Sequence, residues 1–187
     1  MRYFIGFLIV VGLIILGIIL FIRLLFGGGE QPQLKDTEAL TAYARTSTVM
    51  QLEIAGKINA DQDHRRIQID VGDSGNEIRI LKGYGNEVIR RENFHSTSEA
   101  YASFLRAIDL LGYTKGNTDE SMADERGYCP SGRRYVFSIV DGAETKQRFW
   151  STSCGREGSF QGETNNIIQL FEAQIPGYNE ITNGVQL

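Results

Sequence analysis

An uninterrupted apolar run near the amino terminus constrains this chain more than any other feature of its sequence. Residues 3–22, YFIGFLIVVGLIILGIILFI, contain no charged side chain. Twenty residues rise about 30 Å as an α-helix, which matches the hydrocarbon core of a bilayer. The run is longer than the core of a secretory signal, and no small-residue cleavage site follows it. We therefore expect residues 1–26 to form an uncleaved transmembrane anchor that contacts the lipid bilayer through residues 3–22.

The residues after this run predict a linker and then a single domain. Residues 27–35 begin with three glycines and contain a proline, a composition typical of flexible linkers. Residues 36–187 have the length of one domain. Beyond residue 26 the chain carries 17 of its 19 basic residues and all 23 acidic ones, a net charge of −6. Nucleic-acid binding usually requires the opposite balance, so we expect no nucleic-acid partner.

Alternating apolar and polar residues predict an antiparallel sheet. The alternation covers residues 50–58, 66–71 and 77–81, and a fourth strand follows at Val88 and Ile89. Short polar or glycine-containing turns separate these strands, whereas a parallel crossover needs a dozen or more residues. Residues 135–140 and 147–152 flank Asp141-Gly142, which is a strong signal for a further hairpin.

Three segments predict helices. Residues 36–45 begin at an aspartate cap, and the segment Ser96-Thr97-Ser98-Glu99 matches a capping box with Ser96 as the cap. An apolar stripe follows at helical spacing, and Gly112 suits the left-handed position after the helix. Thr164 is the expected cap of the last helix, which Pro176 ends. The predicted fold class is α+β, with about six antiparallel strands and two or three helices packed on the sheet of residues 36–187.

The two cysteines, Cys129 and Cys154, lie on the two arms of the predicted second hairpin. A two-residue turn at Asp141-Gly142 brings them opposite each other, and even a shifted register leaves them near enough for a disulfide. Zinc needs about four ligands, and the only histidines, His64 and His95, show no ligand spacing with the cysteines. We therefore expect a disulfide, no metal and no cofactor.

The expected disulfide also sets the orientation of the anchor. Basic residues flank both ends of the apolar run almost equally, so they do not decide which end faces the cytoplasm. Disulfides persist in oxidising compartments. We expect a single-pass protein of the cell membrane whose carboxyl-terminal domain is extracytoplasmic.

Several segments of the chain carry a likeness to known proteins. GYCPSGRRYVFSIVDG, RFWSTSCG and LFEAQIPGY, with HRRIQIDVG and GYGNEVI, resemble a group of small, single-span proteins from ultra-small, host-associated bacteria of the candidate phyla. The likeness extends over nearly the whole chain. It implies a membrane-anchored extracytoplasmic protein, and it transfers no catalytic residues because no activity is known for that group.

Arginine doublets occur near the ends of three predicted strands, and they include Arg90 and Arg133. Guanidinium groups match the oxygens of phosphate, so one residue of each doublet would contact an anionic wall polymer or lipid headgroups. The alternative is ordinary solvated sheet surface, because neighbouring residues on a strand point to opposite faces.

Aromatic and acidic residues supply the remaining candidates. Trp150, with Tyr128 and Tyr135, would form either an exposed platform for sugars or peptides or a core contact with the last helix. The loop acids would serve a hydrolase only if two of them converged in a cleft. They are Asp119, Glu120, Asp124 and Glu125.

We find no nucleophile, phosphate-loop or metalloprotease motif, and we expect no catalytic residue. The predicted function is a membrane-anchored binding or scaffold module of the cell envelope, whose partner is an anionic wall polymer or another envelope protein. The alternative is a cell-wall-acting hydrolase. The candidate ligand-binding residues are Arg90, Arg133, Tyr135 and Trp150.

Overall fold

Six strands pair into one antiparallel sheet in the computed structural model, which describes residues 40–155 and 158–187. The sheet order is β4-β3-β2-β1-β5-β6, so four strands follow one another as a meander and the second hairpin adds to β1. The strands are β1 (Thr48–Ala55), β2 (Arg65–Val71), β3 (Asn76–Lys82), β4 (Glu87–Phe94), β5 (Arg134–Asp141) and β6 (Glu144–Thr152). The predicted antiparallel sheet of six strands is confirmed.

The helices are α1 (Ser98–Leu110), α2 (Thr164–Glu172) and the short α3 (Tyr178–Ile181), and two 3-10 helices span Leu40–Arg45 and Glu120–Met122. Within the described residues no helix is both long and apolar enough to cross a membrane. The predicted anchor and linker, residues 1–26 and 27–35, lie outside the described residues.

One face of the sheet carries the helices and forms the core. The inward residues of β1, Met50, Leu52 and Ile54, are at most 3% exposed, because every second strand residue points to this face. Helices α1 and α2 contribute buried aromatic rings, and Phe104 meets Phe171 edge to face at 5.0 Å between ring centroids. Residues Leu40–Arg45 pack against α1. We call this side the helix-bearing face and the other side the open face.

Helix α1 starts one residue later than the capping-box pattern predicts. Thr97 is the N-cap, and its hydroxyl accepts a hydrogen bond from the Ala100 amide at 3.2 Å. The prediction of Ser96 as the cap is wrong because both residues match the cap preference and only the backbone geometry separates them. Gly112 takes the left-handed conformation after the helix, with φ 79°, as predicted.

Two other local predictions differ from the structure. The hairpin loop consists of Gly142 and Ala143, because Asp141 pairs with Glu144, and a bulge between Ile139 and Val140 shifts the register again. Thr164 is the first residue of α2 and not its cap, a position that Glu163 occupies without a side-chain hydrogen bond. Helix α2 ends at Glu172, ahead of Pro176, and the short α3 follows that proline.

Candidate ligand-binding cleft

The structure does not bring the four candidate residues together. Arg90 pairs with Ile80, and the same cross-strand row continues through β2 and Ile54 to Tyr135. Four strand spacings of about 4.8 Å each put Arg90 roughly 19 Å from Tyr135 along this row. Arg133 precedes β5, and Trp150 is on β6. A clamp made jointly by Arg90 and the aromatic residues is therefore not formed.

Arg90 is occupied by its own neighbours at the β4 edge. Its Nη2 lies 2.5 Å from Oε1 of Glu92, and its Nη1 donates a hydrogen bond of 2.8 Å to the carbonyl oxygen of Ile181. These contacts occupy N–H donors of Arg90 that could otherwise bind a ligand. Arg90 therefore fastens the end of α3 to the edge of the sheet.

Arg133 is tied to the segment that follows β6. Its amide donates to Oγ of Ser153 at 2.8 Å, and its carbonyl accepts from the Ser153 amide at 2.9 Å. Burial raises the pKa of Glu172, and this effect is opposed by a hydrogen bond with Tyr178 and by the positive charge of Arg133. Burial likewise raises the pKa of Tyr178. Arg133 therefore stands near α2 and α3.

Tyr135 lines a cleft beside β6, which we call the β6 cleft. It has a volume of about 780 Å³, within the range of small-molecule sites. The ring of Tyr135 and the buried ring of Phe160 contribute its aromatic surface, and Phe160 lies 4.2 Å from Phe137 between ring centroids. The cleft thus joins an aromatic floor to the β6 edge of the sheet.

The rest of the β6 cleft is polar. Hydroxyl, amide and carboxylate side chains together provide both donors and acceptors of hydrogen bonds. They belong to Ser151, Thr152, Ser153, Thr164, Gln161, Asn165 and Glu163. The Thr164 hydroxyl bonds that of Ser151 at 3.2 Å, which fixes the start of α2 against β6. The lining contains no lysine or arginine among the described residues.

The disulfide holds one rim of this cleft. Cys129 and Cys154 are bonded, as predicted, with their Cα atoms 5.6 Å apart. A turn from Cys129 to Gly132 precedes β5, and a Cβ atom at Gly132 would collide with the Cys129 sulfur. Glycine is therefore required where the chain crosses the bridge. The disulfide keeps Ser153 in place beside the mouth of the cleft.

Trp150 lies on the open face, away from the β6 cleft. It is fully buried, its indole Nε1 donates to the carbonyl oxygen of Met122 at 2.6 Å, and its ring is 4.7 Å from that of Tyr128 between centroids. Its neighbour Phe149 belongs to the core on the opposite face. The expectation of an exposed platform is therefore wrong. The expected burial of Trp150 is confirmed, and the segment around Met122 and Tyr128 covers it.

Two of the four loop acids, Asp124 and Glu125, are paired with arginines. Asp124 accepts a hydrogen bond of 2.6 Å from Nε of Arg126, and this bond lowers the pKa of Asp124 to about 2. Glu125 forms an ion pair with Arg148 on β6. The general acid of a glycosidase needs a carboxyl group whose pKa is raised, not lowered. Within the described residues, no cluster of three or more His, Cys, Asp and Glu side chains could hold a metal ion.

Sequence reasoning identified Tyr135 but missed the hydroxyl and amide groups around it. The sequence feature that could have indicated these groups is the run of small polar residues after Trp150. This run is broken by glycines and precedes α2. These residues were predicted only as strand and helix ends. The Phe160 amide donates a hydrogen bond of 2.9 Å to the Trp150 carbonyl, and this bond holds the segment after β6 against the β6 edge. No local sequence pattern predicts this pairing.

The chain was compared with known proteins. No protein-family model matches it, and no curated protein matches it significantly.

Proposed function

We propose that this chain is a membrane-anchored, extracytoplasmic module that binds a polar envelope ligand in the β6 cleft without a chemical step. The apolar run of residues 3–22 supports the anchor, and the bond between Cys129 and Cys154 supports an oxidising compartment. The observation that carries the binding role is the cleft of about 780 Å³ with aromatic and hydroxyl lining.

The lining favours a polyhydroxylated ligand such as an oligosaccharide. A sugar ring places its C–H face on an aromatic side chain, and here Tyr135 and Phe160 supply such surfaces. Its hydroxyl groups act as both donors and acceptors, which the Ser, Thr, Gln and Asn side chains of the cleft complement. The carboxylate of Glu163 would accept a hydrogen bond from a hydroxyl or amide of the ligand.

The arrangement of the acids supports binding over hydrolysis. Asp119 and Glu125 line different cavities, and Asp124 and Glu125 are each held by an arginine. The β6 cleft contains one described carboxylate, whereas glycoside hydrolysis usually needs two. The hydrolase alternative would therefore require acids that the described cavities keep apart.

The anionic wall polymer is a weaker choice for this cleft than a neutral saccharide. Of the candidate clamp residues, Arg90 is used inside the protein, where it bonds Glu92 and Ile181. Arg133 is not part of the described lining of the cleft. A polymer of phosphate groups would need several free cations along its path. The described lining of the cleft provides none.

Calorimetric titration of the full chain in detergent micelles with oligosaccharides of N-acetylglucosamine tests this proposal. We expect saturable heat, and at least tenfold weaker binding for Tyr135→Leu. The matched control is Tyr43→Leu, which changes a half-buried tyrosine near α1 and should leave the affinity unchanged. Absence of saturable binding would contradict the proposal.

The same preparation separates binding from hydrolysis. Incubation with purified cell wall should release no reducing sugar or peptide. Release that disappears in the Asp124→Asn or Glu120→Gln variant would establish the hydrolase alternative and overturn the binding role.

A further inference from the structure

A smaller cavity on the open face, distinct from the β6 cleft, contains a buried arginine that has no counterion among the described residues. Arg134 on β5 is 5% exposed and lines a cavity of about 210 Å³. Its guanidinium donates a hydrogen bond of 2.7 Å to the Gly56 carbonyl. Among the described residues, no side-chain or terminal carboxylate lies within 4.0 Å of its nitrogens. A guanidinium has five N–H donors, so most remain for the cavity.

Each carboxylate and each other guanidinium of this cavity has a partner of opposite charge. Glu53 pairs with Arg66 across 3.2 Å, and Arg66 also donates to Gly85. The two remaining pairs each join one lining residue to a partner outside the lining: Glu125 with Arg148, and Arg126 with Asp124. Arg134 therefore contributes the one positive charge of the described lining that has no described partner, and a buried charge is unfavourable unless it is paired.

One wall of the cavity consists of uncharged rings and an aliphatic side chain. His64 is 1% exposed, its ring stacks on Tyr84 with centroids 4.2 Å apart, and its Nδ1 lies 3.1 Å from the Lys57 carbonyl oxygen. Burial lowers the pKa of His64, and the charges of Arg134 and Arg66 lower it further. Ile58 completes this wall and is 45% exposed. The histidine is thus a neutral neighbour of Arg134 at neutral pH.

We propose that this cavity, which we call the Arg134 pocket, binds a small oxyanion, either a carboxylate or a phosphate group. Forked guanidinium donors match the two oxygens of a carboxylate and the oxygens of phosphate. The volume equals that of about seven waters at about 30 Å³ each, which admits such a group and a short substituent. The exposed side chains of Ile58 and Tyr84 would contact that substituent.

The two histidines provide an internal control for a binding experiment. His64 lines the pocket, whereas His95 follows β4 and is exposed outside it. The imidazole NMR signals of the full chain in detergent micelles are followed during titration with sodium acetate and, separately, with inorganic phosphate at constant ionic strength. We expect saturable shifts at His64 and none at His95. Saturation with acetate alone indicates a carboxylate ligand, and saturation with phosphate alone indicates a phosphoryl group.

A pair of arginine variants assigns the site. Arg134→Gln keeps hydrogen-bond donors but removes the charge and should weaken binding at least tenfold, whereas the exposed Arg106→Gln on α1 should leave it unchanged. If the Arg134→Gln protein does not fold, the histidine shifts of the unsubstituted protein test the proposal on their own. Equal shifts at both histidines, no saturation up to 100 mM of either anion, or unaltered affinity in a folded Arg134→Gln protein would overturn the proposal.

Discussion

The two faces of the sheet are stabilised in different ways. On the helix-bearing face, Leu52 and Ile69 are fully buried under α1 and α2. On the open face, the adjacent residues are polar and half-buried, and Glu53 and Asp70 form ion pairs with Arg66 and Arg79. Apolar burial contributes about 25 cal/mol per Å², whereas exposed ion pairs contribute little. One sheet therefore combines a face stabilised mainly by apolar burial with a face whose charged groups pair with one another.

At one corner of the open face, a loop covers buried apolar residues. Trp150 and Val136 are a cross-strand pair, both are buried, and the segment around Met122 and Tyr128 lies over the tryptophan. The disulfide ends this segment at Cys129. The helix-bearing face is held by apolar packing and by buried hydrogen bonds such as the one from the Tyr101 hydroxyl to the Thr48 carbonyl. This corner of the open face also depends on a covalent bond.

Truncation of adjacent residues on β2 gives the largest expected difference between the faces. Ile69→Ala should lower the free energy of unfolding by about 4 kcal/mol, because it opens a cavity in the fully buried core. Gln68→Ala should change it by no more than about 0.5 kcal/mol. Urea unfolding of both variants measures the two values. Similar losses at the two positions would show that the open face is packed as tightly as the core.

Removal of the disulfide should be the next largest effect. The bridge closes a loop with a sequence separation of 25, so the double variant Cys129→Ser, Cys154→Ser should lose about 3.5 kcal/mol in the loop-entropy description. Hydrogen exchange should increase first in residues 119–133 and 153–155, while the amides of β1 and β2 remain protected. Uniform loss of protection would contradict a local role of the bridge.

Trp150→Phe should cost about 1–2 kcal/mol, because it removes the indole bond to the Met122 carbonyl and part of the buried ring. Trp150 anchors the loop around Met122, and the disulfide closes the same loop at Cys129. The two changes should therefore be less than additive when they are combined. Full additivity in urea unfolding would show that the tryptophan and the bridge act on separate parts of the structure.

The smallest expected effect is a pH dependence from His64. Burial lowers its pKa below the ordinary value of 6.5, so the unfolded chain binds the proton more tightly than the folded protein. Stability should be constant above about pH 6.5 with respect to this group and should fall as the pH drops below it. His64→Gln should remove this part of the pH dependence, and a His95→Gln control should retain it. Identical profiles for both variants would contradict the assignment.

The helix-bearing face was predictable because its pattern is local. Alternation in β1 and β2 identifies Met50 and Ile69 as inward residues, and helical spacing in α1 identifies Phe104 and Leu105. The proximity of the cysteines was also predictable, because a hairpin brings its two arms together even when the register shifts. The turn itself was not predictable to the residue, because its loop is Gly142 and Ala143, and a bulge between Ile139 and Val140 shifts the register further.

The candidate sites were less predictable because they depend on contacts between distant segments. Trp150 is covered by residues 28 positions earlier, and nothing near it in the sequence indicates this. Arg133 and Arg134 are equivalent in the sequence, yet the strand puts Arg134 against a cavity on the open face and leaves Arg133 beside Ser153. Alternation predicts that they point to opposite faces but not which face holds a pocket.

The central claim is that a disulfide-bonded domain lies outside the cytoplasm, and thiol labelling tests it most directly. Intact cells that produce the full chain are denatured in acid and treated with a maleimide, with and without prior reduction. The account predicts no labelling of Cys129 and Cys154 without reductant and labelling of both after reduction. Ready labelling of the unreduced protein would contradict the bond and, with it, the extracytoplasmic location.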